Sequence, residues 1–167
     1  MSETLLVLFR DKTWATLALI EFCRGLGPGV LDATTPGTYG TIRSTLRHLV
    51  DSEQGYLELA SGESMGDRLA PGENSLDELA ARMERFALAW ERLLAQPEAA
   101  GREVVSSDGW RMVVAVPMAE AIHHSDDHRG HVMSILGAHG FEPPEPNGLD
   151  VWGYAIEAGL MTPVDQA

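Results

Sequence analysis

Of the 167 residues, six are histidine, and four of these crowd one short segment: His123, His124, His128 and His131. A helix turns about 100° per residue, so with His124 at zero His128 falls at about 40°, His131 at about −20° and Ile135 at about 20°. Three imidazoles then share one stripe with an apolar residue a turn further on, which marks that stripe as core-facing. His123 lies about 100° away and faces elsewhere. Imidazoles at i and i+4 can reach one ion, and neutral imidazole is a common zinc ligand that also suits nickel, copper and iron. Two protein ligands rarely suffice, so a third must come from another helix. His48 and His139 are the remaining candidates once His131 is set aside as a neighbour of the ligands. The competing reading is that these histidines only pack or face solvent.

His48 lies mid-helix on a wheel whose polar arc is Arg43, Arg47, Asp51, Gln54 and Glu58 and whose apolar arc is Ile42, Leu46, Leu49, Val50, Tyr56 and Leu57. It sits at the seam, with Thr41, Ser44 and Ser52 on its own side, a position suited to the mouth of a bundle. Glu53 falls within the apolar arc, which is costly for a charge without a partner; a metal-bound histidine needing an acceptor would be one. Two other metal patterns fail. His124-Ser-Asp-Asp-His128 lacks the glutamate that serves zinc proteases as general base, and Glu120-Ala-Ile-His123 has no second copy to complete a di-iron site.

The elements that must position these residues are legible from periodicity. Leu5 to Gly25 has a helical rhythm in Leu6, Phe9, Trp14, Leu17, Ile20 and Leu26, broken by Gly25, Gly27, Pro28 and Gly29. Thr34 to Gly40 reads as a loop, and Thr38 or Thr41 can cap a helix from about Thr41 to Ala60. Ser61 to Asn74 is a connection. Ser75 with Glu78 makes a capping box ahead of Leu76, Leu79, Met83, Phe86, Trp90 and Leu93, an amphipathic helix ending near Gln96. Asp108-Gly109 between Val104-Val105 and Trp110 to Val116 predicts a β-hairpin. Pro117 ends the second strand and can open the next helix, which runs to Gly137 or Gly140. Pro143, Pro144 and Pro146 predict an extended link, and Leu149 to Ala158 a short closing helix. This pattern predicts a mainly α fold, a four-helix bundle with a small β-hairpin before the last long helix and a short C-terminal helix, in one domain over residues 1–167.

Composition narrows the function. Twelve basic against 25 acidic side chains leave a net charge of −13, a field that repels nucleic acid where no basic patch exists. No apolar run reaches the roughly 20 residues of a membrane span, and Met1 to Phe9 has neither the basic start nor the cleavage site of a signal peptide. The single cysteine, Cys23, rules out an intramolecular disulfide and fits a reducing cytoplasm; buried packing is its expected role. Asp126 and Asp127 point off the histidine stripe and read as solvated surface, as does the acidic stretch from Glu142 to Asp150. Trp152 and Tyr154 read as packing at the bundle end, with the wall of a metal cleft as the alternative.

Arg47-His48-Leu49-Val50 with Glu53, and His124-Ser-Asp-Asp-His128-Arg129-Gly130-His131, resemble the second and fourth helices of the DinB/YfiT-like superfamily of metal-binding four-helix bundles. Phe9 to Ala15, with Trp14-Ala15, resembles the family's opening helix. Leu149-Asp150-Val151-Trp152-Gly153-Tyr154-Ala155 resembles an Asp-x-Trp-x-Tyr ending of one branch. The resemblance implies one divalent metal ion, zinc or nickel, held by His48, His124 and His128 with water in the open positions. His131 stands where glutamine is usual, as a neighbour of the ligands or a fourth ligand. It further implies a homodimer, a small-molecule substrate, and a metalloenzyme that activates a low-molecular-weight thiol for S-transfer or isomerisation, or water for hydrolysis. The alternative within the family is a non-catalytic, stress-related metal-binding or interaction protein.

Overall fold

The fold is seen in a computed structural model that describes residues 3–70, 72, 74–142, 144 and 149–164. Four long helices form a bundle: α1 (Glu3–Arg24), α3 (Ile42–Ser61), α4 (Leu76–Leu94) and α5 (Ala115–Ala138). Between α1 and α3 lies a short α2 (Pro28–Leu31), and α6 (Val151–Glu157) closes the described chain. A single turn of 3₁₀ helix at Ala99–Gly101 leads from α4 into a hairpin of β1 (Glu103–Val105) and β2 (Arg111–Val113). The mainly α, four-helix-bundle architecture read from the sequence is thus observed, with its hairpin and short terminal helix. Of the proline link, Pro143 and Pro146 lie outside the described residues.

The four long helices each bury apolar residues along one face. In α4, Leu79, Met83, Phe86, Trp90 and Leu93 are all within 2% of complete burial; at roughly 1.5–3 kcal/mol per large side chain, that face outweighs the marginal stability of an isolated helix. Ser75 caps α4, its hydroxyl accepting from the Glu78 N–H at 3.1 Å. Thr41 caps α3 by accepting from the Ser44 N–H at 3.0 Å. In α3, Ile42, Leu46, Leu49, Val50 and Leu57 are buried, meeting Val132, Ile135 and Leu136 of α5 in one core cluster. The most extensive helix pairings are α3 with α5 and α1 with α4. No helix among the described residues is long and apolar enough to cross a membrane.

The hairpin pairs Glu103 with Val113, Val104 with Met112 and Val105 with Arg111. Gly109 supplies the turn's positive φ of 92°, and the Ser106 hydroxyl accepts from the Trp110 N–H at 3.0 Å. The second strand is shorter than the apolar run Trp110 to Val116 predicts. Val114 is fully buried and its φ/ψ is already helical, so α5 begins at Ala115 and Pro117 sits in its first turn, where a missing N–H costs nothing. The short α2, at a Gly-Pro-Gly stretch read as a break, is a difference of the same local kind.

Candidate metal centre

His48 projects from the middle of α3, and His124 and His128 from successive turns of α5. The close packing of α3 on α5 brings them together. One ligand nitrogen from each lies within 4.8 Å of the others, and the His48 and His124 Nε2 atoms are 3.1 Å apart. The ring centroids of the three are 4.3–4.9 Å from one another. His139 is elsewhere, its Nε2 donating to the Thr34 carbonyl at 2.9 Å. Of the two candidates for a third ligand, His48 is the one at the pair. His123 faces away, onto an apolar groove with Leu5, Leu8 and Met118. His131 stacks edge-on to His128 with ring centroids 5.2 Å apart, one position beyond the three-nitrogen cluster.

The surroundings keep these rings neutral. Burial pushes His124 down to about 4, helped by the repulsion a second positive charge would meet from His128 and His48. Burial also lowers His48, opposed by Asp51 and helped by Arg47, and lowers His128, helped by His48 and His131 and opposed by Asp127. A neutral imidazole offers a lone pair, the form a metal needs.

A divalent ion fits this donor set. Metal–nitrogen bonds of about 2.0–2.1 Å place neighbouring ligand nitrogens about 3.0 Å apart at right angles and about 3.4 Å apart at tetrahedral angles; the His48–His124 pair is at 3.1 Å. Two ring nitrogens at this distance without an ion can make only one hydrogen bond between them. The His128 Nδ1 is buried and has no hydrogen-bond partner.

Around the rings stand Tyr39, which the sequence did not single out, and Tyr56 and Ser52, which it placed on the helix of His48 without a role at the site. Tyr39, from the loop before α3, stacks on His48 at 4.1 Å and 10° and meets His128 edge-on at 5.1 Å. Tyr56 of α3 packs edge-on to His124 at 5.4 Å, and burial, with Glu120 and Glu53 near, pushes its phenol up to about 12. Ser52, one turn after His48, reaches the His48 Nδ1 at 3.5 Å.

Glu53 has a different fate from the one its place in the apolar arc suggested. It is 1% exposed, and it accepts hydrogen bonds from the Lys12 ammonium of α1 and the Trp90 indole of α4. Its charge is answered by Lys12 instead of by a metal-bound histidine. Lys12, fully buried, carries no sequence signal for this role because its partner is 41 residues away. Asp126, read as solvated surface, accepts from Arg129, whose other nitrogen donates to the Lys12 carbonyl and Thr16 hydroxyl, both at 3.3 Å. Cys23 is buried packing, as expected, its thiol pushed up to about 12 by burial. Tyr154 packs on Trp14 with centroids 6.0 Å apart, while Trp152 is exposed.

A four-helix bundle with three histidines from two helices converging at its mouth defines a class of helical proteins able to hold a metal ion. The model of the DinB family matches residues 1–156, and the chain belongs to that family. Its fold is similar to that of a DinB-like protein, YjoA, from Bacillus subtilis: the crystal structure shares 16% identity and covers 86% of this chain and 97% of its own, with a TM-score of 0.66. No curated protein matches the chain.

Proposed function

We propose that His48, His124 and His128 hold one divalent ion, zinc or nickel, and that this single-domain protein uses it to activate a low-molecular-weight thiol for S-transfer or isomerisation, or water for hydrolysis. The observation that carries the reading is the convergence of one nitrogen from each histidine within 4.8 Å. Three protein ligands leave coordination open for a reactant, whereas structural zinc sites are usually closed by four. Bound there, a divalent ion supplies Lewis acidity that lowers the pKa of a coordinated water or thiol.

The chain's own residues do the rest. Burial keeps the three imidazoles unprotonated, so they present lone pairs at neutral pH. Ser52 at the His48 Nδ1 favours Nε2 as the metal-facing nitrogen. Tyr39 and Tyr56 wall the rings and limit water around them. His131, beside His128, orients that ring or completes the ligand set. The reading extends to a homodimer, supported by the exposed apolar Trp152, Ile156 and Leu160 on and after α6, and to the cytoplasm, which the single cysteine fits.

Cobalt substitution tests the proposal. Titrating the cobalt protein with a thiol is expected to shift the visible spectrum as sulfur enters the ion's coordination, and thiol-dependent turnover of an electrophile such as monobromobimane is expected to require the ion. A cobalt protein whose spectrum ignores every thiol, with no turnover, favours the non-catalytic metal-binding alternative.

A further inference from the structure

Tyr39 reaches the histidines from outside the two helices that carry them. It is 52% exposed, so burial in the core does not explain its place. Its ring lies parallel on His48, 4.1 Å away, and edge-on to His128.

The loop carrying it is braced. Gly37 adopts a φ of +88°, a conformation side chains resist. The Thr38 hydroxyl donates to the Thr35 carbonyl at 2.7 Å. A Cβ on Gly40 would come within 2.6 Å of the Ser44 hydroxyl oxygen. At the two ends, His139 Nε2 meets the Thr34 carbonyl and the Ile42 N–H donates to the Ala33 carbonyl at 3.2 Å.

Metal-binding imidazoles are normally oriented by a hydrogen bond from the nitrogen that faces away from the ion. For His48 that device is weak. Ser52 stands at 3.5 Å from its Nδ1, at the outer limit of a hydrogen bond. We infer that Tyr39 is a positioning residue for the metal centre. Its ring holds His48 in the plane in which Nε2 meets His124, and braces His128 at the same time. The role rests on the three-histidine reading above.

The test compares untagged full-length wild type with Tyr39→Phe and Tyr39→Leu. In metal-free protein, imidazole NMR should show the His48 ring protons shifted upfield by the tyrosine ring; phenylalanine keeps the shift and leucine abolishes it. Zinc competition against a chromophoric chelator should show about tenfold weaker binding for Tyr39→Leu, with an altered cobalt spectrum. Tyr39→Phe should match wild type in both. Unchanged thermal unfolding of metal-free Tyr39→Leu separates this from a folding defect. Equal zinc affinity and identical cobalt spectra in wild type and Tyr39→Leu overturn the assignment. A wild type that takes up no ion removes the metal reading and this role with it, and the NMR shift identifies that failure, because it reports the ring contact without any metal.

Discussion

Two groups of polar side chains are built into this bundle, and both draw on α3 and α5. In one, Glu53 accepts from Lys12 and Trp90, while Arg129 donates to Asp126, Thr16 and the Lys12 carbonyl. In the other, His48 and His124 point their Nε2 atoms at each other, with His128 beside them. The first group finds its partners within the protein; the second gathers lone pairs around a common point and leaves the His128 Nδ1 without a partner. A network whose charges answer one another holds helices in register, whereas converging acceptors call for something from outside. The closed group has one loose end, the Asp11 Oδ1, buried without a partner, and burial pushes that carboxyl up to about 6.

The largest expected effect lies in the closed group. Lys12→Met leaves Glu53 buried and unpaired and should cost about 3–5 kcal/mol in urea unfolding. Replacing Lys12 and Glu53 together by methionine should recover most of that loss. Zinc uptake per folded molecule should be unchanged in both. Should Lys12→Met strip the metal from protein that remains folded, the two groups are one.

The histidine group should behave in the opposite way. Zinc at 100 times its dissociation constant should stabilise wild type by about 2.7 kcal/mol, and His124→Ala should remove that gain.

Acid separates the groups by sign. In metal-free protein, as pH falls from about 6.5 toward about 4, the unfolded chain takes up protons that the folded His124 refuses, so stability drops. Asp11 works against this. Its carboxyl titrates near 6 when folded and near 3.8 when unfolded, so the folded state takes up the extra proton in that window and gains stability as pH falls. Tm measured against pH should therefore fall less steeply below pH 6.5 in His124→Gln, and more steeply below pH 6 in Asp11→Asn. The same slope in all three proteins contradicts the assignment.

The smallest effect is Ser52→Ala. The 3.5 Å contact should be worth less than a tenfold change in zinc affinity, and a larger loss would shift the orienting role from Tyr39 to Ser52.

The helices were legible because their apolar stripes recur at 3.6 residues and their caps are local: Ser75 and Thr41 act within one turn of themselves. The pairing of His124 with His128 was legible for the same reason, since both ride one helix. The third histidine was not decided by spacing, because His48 and His139 differ only in tertiary placement, and the resemblance of the helix motifs pointed to His48. Tyr39 gave no signal: it lies in a loop, and only the bracing at Gly37, Gly40 and Thr34 carries it over His48. Lys12 was hidden likewise, since a lysine inside a helix looks solvated until Glu53 is found opposite.

The most direct test is the metal content of untagged protein, purified without added metal, for wild type and for His48→Ala, His124→Ala and His128→Ala. Close to one zinc or nickel per wild-type chain, with the ion lost from each variant while the helical circular dichroism stays intact, is the predicted result. Full metal content in any one of the folded variants would contradict a centre shared by the three.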